Sequence, residues 1–273
     1  MTLILSGTLV LVGAGKMGGA MLEGWLKGGA DPSRIVILDP AAPDEVKSAV
    51  ARHGMRLNPD LGTINDAEVL VIAVKPQVME DVLPGIARLG TSRPLVLSVA
   101  AGKTIASFER HFGADAAVVR TIPNTPAAVG RGITAMAANR NVTPAQMTMA
   151  SSLLAAVGEV VTVADEAMID AVTAVSGSGP AYVFYLTECL AAAGEKVGLP
   201  KDLAMQLARA TVSGSGELMR QSGTDAATLR KNVTSPKGTT HEALQVLMAA
   251  DGMQPLFDRA IAAATRRSRE LAS

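Results

Sequence analysis

The 273-residue chain has a single cysteine, Cys189, so no disulfide forms within it. It has no excess of either charge. Lys plus Arg and Asp plus Glu both number 25, which leaves no basic field for a nucleic-acid backbone and no polybasic patch for anionic lipid. No apolar run reaches the roughly 18 residues that a spanning helix needs. The apolar start, Met1 to Gly15, has no basic region before it and leads directly into a glycine motif, so it reads as a core strand and not as a signal peptide. No spacing among the three histidines, the cysteine and the acidic residues resembles a zinc site, and no metal is expected. What remains is 48% hydrophobic and only 18% charged, which excludes a disordered chain and describes an Ala-rich globular protein. Leu186 and Leu190 around Cys189 predict a buried, unreactive thiol, and a reducing cytoplasm is the expected location.

The length exceeds that of one ordinary domain, and the pattern changes near residue 164. Before that point short β-rich runs (Leu9 to Val12, Arg34 to Leu38, Val69 to Val74, Leu95 to Val99, Ala117 to Thr121, Glu159 to Val163) alternate with helical pieces such as Met17 to Lys27, Pro43 to Arg52 and Gln77 to Arg88. This rhythm predicts an α/β fold: a Rossmann-type doubly wound parallel sheet covered on both faces, over residues 1–164. From 165 to 273 the β signal stops, and an all-helical domain is expected. Several of its helices, Ala181 to Ala193 among them, are apolar around most of their circumference. That is more apolar surface than a small helical domain hides, so a homodimer, or a multiple of dimers, is expected through this domain.

Gly13-Ala14-Gly15-Lys16-Met17-Gly18 spells G-x-G-x-x-G between the run Leu9 to Val12 and the helical segment that follows. In that context Gly13 permits a tight turn, Gly15 lets a pyrophosphate approach the backbone, and Gly18 allows close helix-sheet contact at a positively polarised helix end. Asp39 stands 21 residues beyond Gly18, at the end of the second expected strand. A carboxylate there accepts both ribose hydroxyls and favours NADH over NADPH. Two alternatives stand beside this: Arg34 or Lys47 offsetting the charge for NADPH, and Asp39 serving only as an Asp-Pro turn residue.

Further blocks recur in order along nearly the whole chain: Ala73-Val74-Lys75-Pro76-Gln77, Ser98 to Gly102, Pro123-Asn124-Thr125-Pro126, Ser176-Gly177-Ser178-Gly179-Pro180-Ala181-Tyr182, and Asn232-Val233-Thr234-Ser235-Pro236-Lys237-Gly238-Thr239-Thr240. On these the chain resembles the pyrroline-5-carboxylate reductases. The resemblance implies an NAD(P)H-dependent reduction of Δ1-pyrroline-5-carboxylate to proline. It places the substrate carboxylate on Ser235, Gly238, Thr239 and Thr240, with Thr240 at the ring nitrogen as the candidate catalytic residue. It puts Val74, Lys75, Pro76, Ala100, Ala101 and Gly102 along the cofactor, with Asn58, Glu166 and Asn232 as further contacts.

Read from the residues alone, Ser235 to Thr240 is a Pro- and Gly-containing turn opening a helix, where amides and hydroxyls hold a small anion without arginine. The plain alternative is an N-cap formed by Thr239 or Thr240. Lys237 departs from the glycine or small residue that the family carries beside Gly238. Either the turn does not need a positive φ there, or the lysine projects into solvent or toward the carboxylate, with solvent favoured. Ser222 to Ala227 also diverges from the family. Of His53, His111 and His241 only His241 adjoins the turn, where it reads as a polar residue of a first helical turn.

A protonated imine needs hydride and no base. A β-hydroxyacid dehydrogenase, the nearest rival, needs a lysine on the helix after Gly179, and none stands before Lys196. A nucleotide-sensing protein without turnover is the rival from another class.

Overall fold

A computed structural model describes residues 3–272, which fall into two compact units: the chain up to Gly177 together with the residues from Thr265 onward, and Ser178–Ala264.

The first unit is built on an eight-stranded sheet of β1 (Thr8–Val12), β2 (Ile35–Leu38), β3 (Arg56–Leu57), β4 (Ala67–Ile72), β5 (Leu95–Ser98), β6 (Ala117–Ile122), β7 (Gly132–Ala138) and β8 (Gly158–Thr162). The spatial order is β3-β2-β1-β4-β5-β6-β7-β8. Every residue of β1 is buried, because its side chains alternate between two covered faces. Leu9 and Leu11 enter one cluster with Met21, Trp25 and Leu153, while Val10 and Val12 enter another with Met79, Leu83 and Phe108. Helices α1 (Lys16–Lys27), α3 (Met79–Ile86), α4 (Ile105–Phe112) and α5 (Pro144–Ala155) supply these partners, and α2 (Asp44–His53) adds Val46 to the first cluster. Trp25 buries its ring and still donates Nε1–H to the Leu153 carbonyl at 2.8 Å, so the polar end of the indole is satisfied. The unit also holds the short α6 (Met168–Val172).

The doubly wound Rossmann-type sheet matches expectation, with one correction: it is not wholly parallel. β6 and β7 run antiparallel, with Val119 opposite Ala138 and Ile122 opposite Ala135. A turn at Thr125–Val129 reverses the chain between them, which a parallel neighbour would not allow. β7 carries the sequence GITAMAA, whose small residues give little β signal. Two-residue β3 is too short to read. Arg34 lies in a tight turn, Pro32–Arg34, before β2 and not in the strand itself.

The second unit contains α7 (Gly179–Lys196), α8 (Lys201–Ser222), α9 (Ala226–Asn232), α10 (Thr239–Leu247) and the greater part of α11 (Met253–Ala272), whose last turns belong to the first unit. Those last turns are anchored there by a buried contact, Ser268 Oγ donating to Asp170 Oδ1 at 2.7 Å. Within the chain α7 leaves Phe184 61% and Tyr185 66% exposed, with Val183, Leu186 and Leu190 beside them. Cys189 is exposed on the same helix, which corrects the expectation of a buried thiol. Leu186 and Leu190 are themselves uncovered in the single chain and provide no burial for it. Among the described residues, no helix is long and apolar enough to cross a membrane.

Candidate active site

The glycine loop lies in the first unit, at the carboxyl end of β1. Gly13 has φ +88°, and a Cβ there would stand 2.8 Å from Val74 Cγ1, so the turn requires glycine on both counts. A Cβ at Gly18 would collide with the Gly13 carbonyl oxygen. At Gly15, by contrast, an added Cβ meets nothing within 4 Å. Gly15 is also the N-cap of α1 and gives its amides no side-chain partner. An open approach over Gly15 to an uncapped, positively polarised helix end fits the pyrophosphate of a dinucleotide. Lys16 is exposed, and Met17 is half-buried against the core.

Asp39 is drawn into this loop from β2. Its Oδ2 accepts the Ala14 amide at 2.7 Å and its Oδ1 the Ala41 amide at 2.8 Å. Asn58, at φ +48°, clamps Asp39 in turn: Oδ1 accepts the Asp39 amide at 2.8 Å, and Nδ2 donates to the Asp39 carbonyl at 2.9 Å. Asparagine is among the few residues that tolerate this backbone. The two cations considered for a 2′-phosphate are both engaged elsewhere. Arg34 Nη1 donates to the Ser6 carbonyl, and Lys47 pairs with Asp44 at 3.1 Å.

Val74, Lys75 and Pro76 follow β4, the neighbour of β1, and so stand beside the glycine loop; Lys75 is exposed and Pro76 opens a tight turn. Ala100, Ala101 and Gly102 follow β5, one strand further along the same edge. Ala100 is buried, Ala101 exposed, and Gly102 has φ +71° and packs against Leu271 of α11. Lys103 reaches Glu80 of α3 at 2.8 Å, and this hydrogen bond holds the Glu80 carboxyl below its ordinary range. Glu166 is engaged inside the protein: its Oε1 accepts both the Ile105 amide and Arg120 Nη1, each at 2.8 Å. Nothing in the sequence singles out Arg120, 3% exposed on β6, because a lone arginine in an apolar run does not announce a partner 46 positions away. Asn124, in the Pro123–Pro126 motif, accepts the Ile133 amide at 3.0 Å and donates to the Ser176 carbonyl at 3.3 Å at the β6–β7 reversal.

The Ser235–Thr240 turn lies in the second unit. Lys237 has φ +59°, so the turn does adopt the angle that favours glycine, and its side chain is exposed. Gly238 is the N-cap of α10, without a side-chain cap, so neither Thr239 nor Thr240 serves as the capping residue. The Gly238 amide donates to the Ser235 carbonyl at 3.1 Å and is therefore not free for an anion, which leaves Thr239 and Thr240 to present theirs. A Cβ at Gly238 would run into the Ser235 hydroxyl, so glycine is what lets that hydroxyl lie over the helix end. Thr239 is exposed and Thr240 half-buried. Asn232 ends α9, exposed, and His241 pairs with Gln245 one turn further on at 3.2 Å.

Residues 166–271 match the family model described as pyrroline-5-carboxylate reductase dimerisation, and residues 8–102 the one described as NADP oxidoreductase, coenzyme F420-dependent. The pyrroline-5-carboxylate reductase of Pseudomonas aeruginosa is 39% identical over 264 residues, covering 97% of this chain and 96% of that one. The chain belongs to the pyrroline-5-carboxylate reductase family. The reductase of Synechocystis is 43% identical over 88% of each chain. Among solved structures, the pyrroline-5-carboxylate reductase of Coxiella burnetii superposes with a TM-score of 0.90 at 34% identity, covering 98% of this chain and all of that one. The Plasmodium falciparum pyrroline carboxylate reductase, solved with NADP bound, superposes at 0.81 with 27% identity, covering 98% and 99%. The family's match to nearly the whole chain, and to the helical part in particular, supports NAD(P)H as cofactor class and self-association through the helices.

Proposed function

We propose that the protein reduces Δ1-pyrroline-5-carboxylate to L-proline with NADH or NADPH, the last step of proline synthesis. The observation that carries this reading is the Ser235–Thr240 turn: a hydroxyl lying over an uncapped helix end, built from the residues by which the chain resembles its family. Ser235, Thr239 and Thr240 hold the substrate carboxylate through hydroxyls and amides, while Gly238 makes room for the Ser235 hydroxyl. Thr240 contacts the ring nitrogen and orients the imine. A reduced nicotinamide bound there would supply hydride to the imine carbon, and because the imine nitrogen already carries its proton, the product is the neutral amine with no proton left to remove. The chain's own contribution is therefore orientation and exclusion of water.

Gly13 to Gly18 carry the pyrophosphate, and Val74 to Pro76, Ala100 to Gly102, Asn58 and Asn232 line the remainder of the cofactor. The Asp39 carboxylate, held beside the glycine loop by the Ala14 amide, supports a preference for NADH. The first unit forms the cofactor domain, and the helical unit Ser178–Ala264 the substrate-binding domain through which two copies associate by the apolar face of α7. The location is the cytoplasm.

The test follows NADH and NADPH absorbance in parallel with Δ1-pyrroline-5-carboxylate and measures proline. Imine-dependent oxidation with stoichiometric proline supports the assignment. Cofactor binding without oxidation overturns it in favour of a nucleotide sensor.

A further inference from the structure

The segment 99–104, between β5 and α4, carries the proposed cofactor residues Ala100 to Gly102. Two adjacent residues of β6 hold its two ends. Thr121 Oγ1 donates to the carbonyl of Ser98, the last residue of β5, at 2.8 Å. Arg120, paired with that same Ser98 in the sheet register, sends its side chain to Glu166, whose Oε1 also accepts the Ile105 amide that opens α4. Glu166 thus terminates one of the orphan amides of α4, as Thr104 does for Ser107.

Arg120 is an improbable choice for stability alone. Its side chain is 4% exposed, and among the described residues its buried Nε has no hydrogen-bond partner. A buried polar group left unpaired destabilises, and a buried ion pair is commonly equalled or bettered by apolar side chains of the same volume. What an apolar residue would not do is hold the Glu166 carboxylate on the Ile105 amide.

We propose that Arg120 and Glu166 are positioning residues for the reduced cofactor: together they fix the far end of segment 99–104 and so set the backbone against which the nicotinamide half of the cofactor lies. Glu166 acts through Ile105, and Arg120 acts through Glu166. This rests on the reading of segment 99–104 as a cofactor-lining loop. The loop follows a strand next to β4 at the carboxyl edge of the sheet, where ligands of this architecture bind.

The test uses the 273-residue chain with R120M, which removes the guanidinium, and with R120M/E166M, which removes both charges of the pair. NADH binding is titrated by its fluorescence with no imine present, and steady-state constants and melting temperatures are measured alongside. Both variants should bind NADH about tenfold more weakly, equivalent to roughly 1.4 kcal/mol, with the KM for the imine unchanged. A folded R120M/E166M that binds NADH as tightly as the unsubstituted protein overturns the proposal, as does a loss shared equally between the two KM values. Because the titration contains no imine, it decides the positioning role even if the protein proves not to reduce the imine. Failure of the unsubstituted chain to bind either reduced cofactor would overturn both readings.

Discussion

The carboxylate of Asp39 accepts the amide of Ala14 at 2.7 Å, so the residue expected to read the ribose also sets the shape of the glycine loop. The two roles are compatible, since a carboxylate offers about four acceptor positions and two are filled here. Asp39→Asn retains only one acceptor oxygen. We expect it to lower stability by about 1 kcal/mol and to narrow the ratio of kcat/KM for NADH over NADPH. An unchanged ratio in a folded variant would remove Asp39 from cofactor selection.

Gly15 and Gly18 separate function from folding. Gly15→Ala adds a methyl group into open space and should leave stability within about 0.5 kcal/mol, while raising the KM for reduced cofactor because the methyl occupies the approach to the loop. Gly18→Ala drives a methyl into the Gly13 carbonyl and should cost about 1–3 kcal/mol in thermal or urea unfolding. Equal melting temperatures for the two variants would contradict this account of the loop.

Lys237 holds a left-handed backbone that glycine adopts without strain. Lys237→Gly should therefore raise stability by about 0.5–1 kcal/mol, read as an increased melting temperature. With the ammonium in solvent, the KM for the imine stays constant. A rise in that KM would instead bring the ammonium to the substrate carboxylate.

Thr240→Ala removes the hydroxyl assigned to the ring nitrogen. A lost hydrogen bond of about 1.4 kcal/mol corresponds to a tenfold lower kcat/KM for the imine, with NADH binding intact. Unchanged turnover and imine KM would exclude Thr240 from the site.

The parts of this molecule that were legible in its sequence are those that local chemistry dictates. β1 followed by Gly13 to Gly18 reads directly, because a fully buried strand must be apolar and a tight turn against Val74 must be glycine. β7 was silent because Ala and Gly carry no strong strand preference; its position comes from pairing with β6. The buried thiol expected at Cys189 failed for a related reason, since apolar neighbours on a helix reveal nothing about what covers them. Around the candidate site, Lys237 announced its own strain. Arg120 announced nothing, because its meaning lies in Glu166 and Ile105, brought to it only by the fold.

The last turns of α11 return to the first unit, where Ser268 meets Asp170. As the ribosome emits the chain from its amino end, the Rossmann unit therefore waits for its final piece until every residue of the helical unit has been synthesised. The second unit is topologically an insertion and not an appended tail. A nascent chain halted after α10 would hold the eight strands of the sheet yet leave the Asp170 carboxylate without its Ser268 hydroxyl partner, so assembly of the nucleotide-binding unit is tied to synthesis of α11.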